Sequence, residues 1–277
     1  AKVYDPVRSH TIKVAKLCKK LEIKFIFSSS CSVYGKGIDG YSDEDSEVYP
    51  QTPYSINKIQ IEQDLAKITD KCFTPIIFRF ATAFGLSPRM RFDLVINMFT
   101  AMAYTTGKII LNSDGKAWRP NVYVDDICKA IRFAIDYTPP AETQVILNVG
   151  DTSQNYQILD LAKIVQKEIP GCEINFINQT KIVINKELIK DRKIQDGVDS
   201  RNYKISFEKI KKTFPGFECD WSVEKGVKDV LEKFKEINLT KEQFENINFY
   251  RLQKLESLIK NGFLSEDLFW IKKYPRL

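Results

Sequence analysis

The sequence is poor in the residues that build metal and haem sites. Its 277 residues include a single histidine, His10, and no two of the six cysteines form a Cys-x-x-Cys pair. The ligand spacings of zinc sites and of c-type haem attachment are therefore missing. We expect no metal site, and we expect a reducing compartment in which the thiols stay free.

Long apolar runs and one-sided charge are missing as well. No stretch of about 18 apolar residues occurs, and no basic segment leads into an apolar leader. Lysine and arginine number 42 against 36 acidic residues, and the net charge of +6 is spread along mixed runs. No helix-turn-helix or RNP pattern accompanies this charge, which disfavours nucleic-acid binding. We expect a cytoplasmic protein without membrane or nucleic-acid partners, whose mild positive charge suits an anionic ligand.

The first 150 residues alternate helical and strand-like patterns. Apolar residues recur at helical spacing over residues 11–21, and a short apolar run then ends at Ser28-Ser29-Ser30. A polar loop over 36–52 precedes a predicted helix at 54–69 and a predicted buried strand at 75–83. This alternation predicts an α/β fold with a parallel sheet that is covered on both faces.

The rest of the chain is predicted to add a smaller α+β lobe and a tail. Helices are expected at 92–104, 125–137, 156–169 and 223–235, and strands at 108–111, 121–124 and 145–149. We divide the chain into a sheet domain (1–150, with insertions near 86–120), a lobe (151–237) and a helical C-terminal extension (238–277). The apolar residues of the extension fit docking on the body or on a partner, or an ordinary packed terminus.

Tyr54 and Lys58 are four residues apart and therefore share one face of the predicted helix. An ammonium beside a phenol is expected to lower the pKa of Tyr54, so that the phenolate can remove a hydroxyl proton. Tyr-x-x-x-Lys alone is a weak signal, because both residues are common on helix surfaces. Its context is more specific: Ser30 closes a buried strand, and open α/β sheets bind their ligands at such strand ends.

This ordered pattern resembles the extended short-chain dehydrogenase/reductase family, the NAD-dependent sugar-nucleotide epimerases and dehydratases. The likeness covers about residues 5–236, through motifs at 25–35, 54–58, 79–85, 118–120, 124–126, 148–150 and 199–203. It implies a Rossmann-type sheet, NAD or NADP as cofactor and a nucleotide sugar as substrate. It also implies a homodimer, in which the helices at 11–21 and 54–69 of each copy form a four-helix interface.

The resemblance assigns roles to individual residues. Tyr54 would be the general base, Lys58 would bind the nicotinamide ribose and tune Tyr54, and Ser30 would hydrogen-bond the reacting hydroxyl. Further cofactor contacts would come from Ser28, Ser29 and Phe80. Substrate contacts would come from Ser32, Thr82, Arg89, Arg91, Asn97, Arg119 and Arg201. The last two would hold the diphosphate, because a guanidinium can fork its donors onto two oxygens.

The residues after Ser30 separate the reactions of this family. Its 4,6-dehydratases are similar but carry carboxyl groups there, which the elimination of water across C5 and C6 requires. Cys31 and Ser32 offer no carboxyl group. The resemblance therefore favours 4-epimerisation, in which hydride moves to NAD and returns to the other face of a keto sugar. A reductase or decarboxylase with the same Tyr-Lys pair would look alike, and Thr82 stands where many members have asparagine.

One part of the family pattern has no counterpart that we identify in these residues. Members begin with a strand, a glycine-rich turn and a helix that receives the NAD pyrophosphate. The stretch between Pro6 and Thr11, which contains Arg8 and His10, is also short and suggests a damaged or spliced segment. We expect a partial Rossmann-type sheet that lacks its first βαβαβ half. A fragment of an enzyme is favoured over a chain completed by another one and over a non-catalytic remnant that binds sugar nucleotide or a partner.

Overall fold

The structure, a computed structural model, describes residues 4–177 and 201–272. Its helices are α1 (Tyr4–Lys20), α2 (Pro53–Ala66), α3 (Val95–Thr106), α4 (Val124–Asp136), α5 (Ile158–Glu168), α6 (Glu208–Thr213), α7 (Val223–Glu236), α8 (Lys241–Phe244) and α9 (Arg251–Lys260). Its strands are β1 (Ile26–Ser30), β2 (Tyr41–Ser42), β3 (Ile76–Phe80), β4 (Thr82–Phe84), β5 (Lys108–Leu111), β6 (Trp118–Tyr123), β7 (Val145–Val149), β8 (Asn155–Gln157), β9 (Glu173–Phe176) and β10 (Lys204–Ile205).

The central sheet contains β1, β3 and β7 in that order, and both pairs are parallel. Ser30 lies opposite Phe80, and Phe80 lies opposite Val149, so the three strands end at the same edge. Strand β3 is buried along nearly its whole length, as a strand covered on both faces must be. The predicted α/β class with a parallel sheet is confirmed. Within the described residues, β1 has no strand on its other side.

Helix α1 runs through the segment between Pro6 and Thr11, for which the sequence suggested damage or splicing. The helix is continuous from Tyr4, and Pro6 is tolerated because the first turn needs no hydrogen bond from its nitrogen. Arg8 pairs with Asp64 of α2 at 2.6 Å (Nε to Oδ2), which holds the two helices together. Ala15 of α1 is fully buried in the cluster that these helices share with the sheet.

Two of the predicted elements are divided in the structure. The strand predicted at 75–83 separates at Ala81, whose N–H donates to the carbonyl of Val149 (3.0 Å), into β3 and β4. The helix predicted at 156–169 begins only at Ile158, because residues 155–157 form β8, antiparallel to β6. Strands β4, β6 and β8 form a second sheet, and the pairs β5–β9 and β2–β10 are parallel.

The C-terminal extension packs on the body of the protein. Phe92 lies at the centre of this contact, with ring centroids 5.3 Å from Phe244 and 5.0 Å from Phe249. The Phe92 N–H also donates to the carbonyl of Phe249 at 3.4 Å. These contacts fix the start of α9 beside the segment that precedes α3. Residues 273–277 of the predicted extension, and residues 199 and 200 of the motif at 199–203, lie outside the described residues.

Membrane-spanning helices and metal clusters are both absent from the part of the chain that the structure describes. No helix in residues 4–177 and 201–272 is both long and apolar enough to cross a membrane. The same residues contain no group of three or more His, Cys, Asp or Glu side chains arranged to hold a metal ion.

Candidate active site

The start of α2 fixes the position of Tyr54. Thr52 caps the helix: its Oγ1 accepts from the N–H of Ser55 (3.2 Å), and the Ser55 hydroxyl reaches back to the N–H of Thr52 (3.1 Å). Pro53 occupies the first helical position, where its fixed φ favours the helix. Tyr54 is therefore held in the first turn, at the end of the long loop that leaves the sheet.

Ser30, Tyr54 and Lys58 come together at the carboxyl end of β1. Ser30 is the last residue of the strand, and its Oγ accepts from the N–H of Ser32 (3.2 Å), which caps the 3-10 turn that follows. Its hydroxyl also interacts with the phenol of Tyr54. The Lys58 Nζ lies 5.4 Å from the centroid of the Tyr54 ring and donates to the carbonyl of Ser28 at 2.6 Å.

The pKa of Tyr54 differs from the sequence-based prediction. Partial burial raises the pKa of the phenol, and this effect outweighs the opposing influence of Ser30 and of the charges of Arg91 and Arg251. The prediction of a lowered pKa for Tyr54 was wrong. Lys58 directs its ammonium to the Ser28 carbonyl, and burial lowers the pKa of the lysine itself.

A buried polar network lies directly beneath these residues. Arg79 of β3 forms an ion pair with Glu62 of α2 at 2.7 Å (Nη2 to Oε2), and both side chains are almost fully buried. Ser29, predicted to contact the cofactor, donates its hydroxyl to Glu62 instead of pointing to solvent. Arg79 also donates to the Tyr34 hydroxyl (2.9 Å), which in turn donates to Asn148 of β7 (2.9 Å). The network joins all three strands of the central sheet to α2.

Residue-by-residue reading of the sequence missed this network. A signal for it was present, because Arg79 is a charged residue inside the apolar run of β3, and Glu62 follows Lys58 by four residues on α2. A charge in such a strand needs a buried partner. The sequence did not indicate which acid would supply it, since many acids lie between residues 36 and 70.

Three further predicted residues line the neighbouring strand ends. Phe80 ends β3 and is half-buried, with its ring 5.7 Å from that of Phe78. Thr82 begins β4 and is also half-buried. Ser32 is buried, and its Oγ has no hydrogen-bond partner among the described residues. An unpaired buried hydroxyl is costly, so Ser32 offers a polar atom that a ligand could satisfy.

The predicted diphosphate ligands Arg119 and Arg201 are adjacent. Arg119 is buried, and its Nη1 donates to the carbonyls of Trp118 (2.7 Å) and Arg201 (2.6 Å). Its guanidinium also lies 5.5 Å from the centroid of the Tyr203 ring. Arg119 therefore fixes the chain at residue 201 against β6, which is a structural contribution beyond the predicted role.

The other predicted substrate residues lie between β4 and α3. Asn97 is buried; its Oδ1 accepts from the N–H of Gly85 (3.0 Å), and its Nδ2 donates to the carbonyl of Arg91 (3.1 Å). Asn97 thus shapes the loop that carries the arginines. Arg91 makes two bonds of 2.9 Å to Asp93, whereas Arg89 is exposed.

The glycine spacing of dinucleotide-binding turns, Gly-x-Gly-x-x-Gly, occurs once in the sequence, from Gly35 to Gly40. It follows the 3-10 turn Cys31–Tyr34 and leads into β2, not into a helix. A dinucleotide fingerprint needs a strand before it and a helix after it, because the pyrophosphate binds at the helix N-terminus. Gly35 has another reason to be glycine: its φ is 62°, and a Cβ there would lie 1.7 Å from the carbonyl oxygen of Tyr49.

A parallel α/β sheet with Ser, Tyr and Lys at one strand end defines a short-chain dehydrogenase type of site. The sequence matches the model of the NAD dependent epimerase/dehydratase family over residues 3–150. The chain therefore belongs to the NAD dependent epimerase/dehydratase family, and the predicted family is confirmed.

Individual relatives agree with this assignment. The chain is 26% identical to the low-salt glycan biosynthesis protein Agl12 of Haloferax volcanii, over 76% of this chain and 61% of the relative. It is 25% identical to the dTDP-D-glucose 4,6-dehydratase of Mus musculus, over 76% of this chain and 56% of the relative. The chain thus spans about three fifths of the length of these relatives.

The fold is similar to that of solved members of the family. A UDP-glucose 4-epimerase from Thermotoga maritima, solved with UDP-glucose, superposes with a TM-score of 0.66 at 23% identity. The match covers 83% of this chain and 69% of that one. Sequence relatives include both dehydratases and a putative UDP-glucose 4-epimerase, so the family alone does not specify the reaction.

Proposed function

We propose that this protein acts as an NAD-dependent sugar-nucleotide 4-epimerase. The observation that carries the proposal is the site at the end of β1, where the Tyr54 phenol meets the Ser30 hydroxyl and Lys58 lies over the Tyr54 ring. The next two residues, Cys31 and Ser32, lack a carboxyl group. This set can move one proton to and from a sugar hydroxyl but has no acid beside it for eliminating water.

Each residue has a defined task in this proposal. Tyr54 takes the proton of the C4 hydroxyl and later returns it, while Ser30 hydrogen-bonds the same oxygen. Lys58 orients the cofactor ribose: among the described residues its ammonium uses only one of three donors, on the Ser28 carbonyl, so two are available. NAD in this site would supply the chemistry of hydride acceptance and return at C4, which would require it to remain bound throughout turnover.

The carboxylates nearest to the strand ends also support epimerisation over dehydration. Glu62 is engaged by Arg79 and Ser29, and Glu44 accepts from the N–H of Asn148 at 2.6 Å. Both are therefore held by structural partners. A dehydratase, as in the mouse relative, is the second candidate, and it would require one of these acids to be released to the substrate.

The experiment that tests the proposal follows UDP-glucose by NMR in D2O with added NAD. We expect inversion at C4 without loss of water and without deuterium at C5, because epimerisation leaves the C5–H bond intact. Elimination across C5 and C6 would exchange the C5 hydrogen with solvent. Deuterium at C5 with a 4-keto-6-deoxy product would therefore show a dehydratase and contradict the 4-epimerase assignment.

The quaternary structure is a second part of the proposal. α1 exposes the apolar residues Val7, Val14 and Leu17, and Leu21, directly after the helix, continues this stripe at heptad spacing. Such a stripe fits helix-to-helix packing, and it supports the homodimer expected from α1 and α2. Sedimentation at micromolar concentration should give a dimer, and Leu17→Lys, which places a charge in the stripe, should shift it to monomer. A wild-type chain that sediments only as monomer would refute the dimer.

The division into a sheet domain (1–150), a substrate-binding lobe (151–237) and an extension (238–277) also stays a proposal. The apolar clusters around the sheet and around α3, α5 and α7 are separate, but each includes residues from both sides of residue 150.

A further inference from the structure

Three residues on one face of α2 each bind a different one of the three consecutive serines that end β1. The pairs are Tyr54 with Ser30, Lys58 with Ser28 and Glu62 with Ser29. The three helix residues are spaced by four, so they follow one another along a single face of α2. The proposed reaction uses two of these pairs directly, and the pair of Glu62 and Ser29 lies beneath them.

Glu62 acts only through its neighbours. Its side chain is 4% exposed, and both of its oxygens are engaged. Oε1 accepts from the Ser29 hydroxyl, and Oε2 accepts from Nη2 of Arg79 at 2.7 Å. A carboxylate held in this way cannot reach a sugar or a cofactor. Any part that Glu62 has in the reaction must therefore pass through the groups that it holds.

The first of these groups is the strand that carries Ser30. Within the described residues, β1 is paired with β3 alone, so its position also depends on contacts with α2. The apolar contact of Phe27 with α2 is not directional, whereas the bond from Ser29 to Glu62 joins two defined atoms. Since Ser30 is the next residue, this bond helps to set where its hydroxyl lies relative to the phenol of Tyr54.

The second group is the ammonium of Lys58. Its Nζ is 2.6 Å from the Ser28 carbonyl oxygen and 4.8 Å from the centroid of the Phe27 ring. Burial there lowers the pKa of Lys58, and the negative charge of Glu62, one helical turn away, opposes this effect. Burial raises the pKa of the Tyr54 phenol, which also faces Lys58, so the phenol supplies no compensating charge.

Other titratable groups pack around the ion pair of Glu62 and Arg79. The Cys31 thiol donates to the Arg79 carbonyl at 3.1 Å, and the Tyr34 hydroxyl accepts from the Arg79 guanidinium at 2.9 Å. Burial raises the pKa of the Cys31 thiol and of the Tyr34 phenol. Both therefore stay neutral where Lys58, whose pKa is lowered, gives up its proton.

We propose that Glu62 is a positioning residue of the site, which sets the place of Ser30 through Ser29 and holds the ammonium of Lys58 through its charge. This inference deepens the proposed 4-epimerase function and rests on it for the tasks of Ser30 and Lys58 in turnover. It gives the buried acid a part in the chemistry besides its contribution to stability. Arg79 keeps that acid ionised and directs its oxygens.

The test measures how fast acetic anhydride acetylates Lys58 between about pH 7 and 11, by mass spectrometry of the labelled peptide. Lys13, exposed on α1, is the internal reference. Only the free amine reacts, so the midpoint of rate against pH follows the pKa of Lys58, whereas loosened packing changes the plateau. The variants are Arg79→Met, which keeps the acid, and Glu62→Met/Arg79→Met, which removes both charges together.

We expect the double variant to acetylate Lys58 about threefold or more faster than wild type at about pH 8, with its midpoint at lower pH. The reason is that burial of the ammonium is then unopposed. Arg79→Met should keep a midpoint at or above that of wild type, because Glu62 retains its charge. Stability should follow the opposite order, since the single variant leaves an unpaired buried charge. A purely structural role of Glu62 would not separate the two orders.

The contact of Glu62 with the strand is tested by Ser29→Ala, which removes one hydroxyl and keeps every charge. We expect kcat for C4 inversion of UDP-glucose, with NAD present, to fall about tenfold while KM changes little, because the lost bond aligns Ser30. Ser153→Ala is the matched control, since it removes a hydroxyl that donates to Asp151 (2.7 Å) in an exposed turn. The control should keep the kcat of wild type.

Two results would overturn the proposal: an unchanged midpoint for Lys58 in Glu62→Met/Arg79→Met, or the kcat of wild type in Ser29→Ala. A wild-type protein that does not invert C4 would instead refute the 4-epimerase assignment. The acetylation midpoints would still decide whether Glu62 acts on Lys58, because they require neither NAD nor turnover. The two failures are therefore distinguishable.

Discussion

Tyr54→Phe should lower kcat by about a thousandfold, within the range of 10² to 10⁴ for loss of a general acid–base group. The substitution removes the one oxygen that the proposal uses to take and return the proton of the sugar hydroxyl. It keeps the aromatic ring, which contacts the ring of Tyr4 at 6.2 Å and lies beneath Lys58. Folding should therefore be unaffected, and the Kd for the substrate should change little.

The measurement is kcat for C4 inversion of UDP-glucose with NAD present. Tyr49→Phe is the matched control, because it deletes the same atom from an exposed tyrosine that is bound to Glu47. The control should keep full activity. A Tyr54→Phe protein that retains more than about a tenth of the wild-type kcat would exclude Tyr54 as the base.

Arg79→Met should cost about 3–5 kcal/mol in the free energy of unfolding, as expected when one partner of a buried ion pair is removed. Arg79 is 5% exposed and Glu62 is 4% exposed. Without the guanidinium, the Glu62 carboxylate keeps only the Ser29 hydroxyl as a side-chain donor in the described network. The Tyr34 hydroxyl loses a donor as well.

Urea denaturation measures this change, with Arg132→Met as the control. Arg132 is exposed on α4, so its replacement should stay within about 0.5 kcal/mol of wild type. The double variant Glu62→Met/Arg79→Met should be more stable than Arg79→Met alone, because it removes the uncompensated charge. A loss of less than about 1 kcal/mol in Arg79→Met would show that water reaches the pair and that the network is not a buried unit.

The fold class and the proximity of Tyr54 and Lys58 could be predicted from the sequence because both depend on local patterns. Helix periodicity places Tyr54 and Lys58 on one face, and Thr52 with Pro53 marks the start of that helix. The apolar run that ends in serines predicts β1 and its exposed end. Strands β5 and β7 were predicted with their observed bounds for the same reason.

Features that depend on distant partners were not predictable in this way. The strand divides near Ala81 because Thr82–Phe84 pair with β6, about 40 residues further along the chain, and β8 exists because β6 lies beside it. The pKa of Tyr54 was predicted in the wrong direction, since spacing along a helix gives proximity to Lys58 but not the burial of the phenol or the direction of the ammonium.

The sequence by itself thus determined the family, the parallel α/β class and the Ser30, Tyr54 and Lys58 set, because each depends on residue order and short-range periodicity. The tertiary structure alone decided which acid neutralises Arg79 and how far the phenol of Tyr54 is buried. Electrostatic energies depend on distance and burial in space, and chain separation contains neither of these quantities.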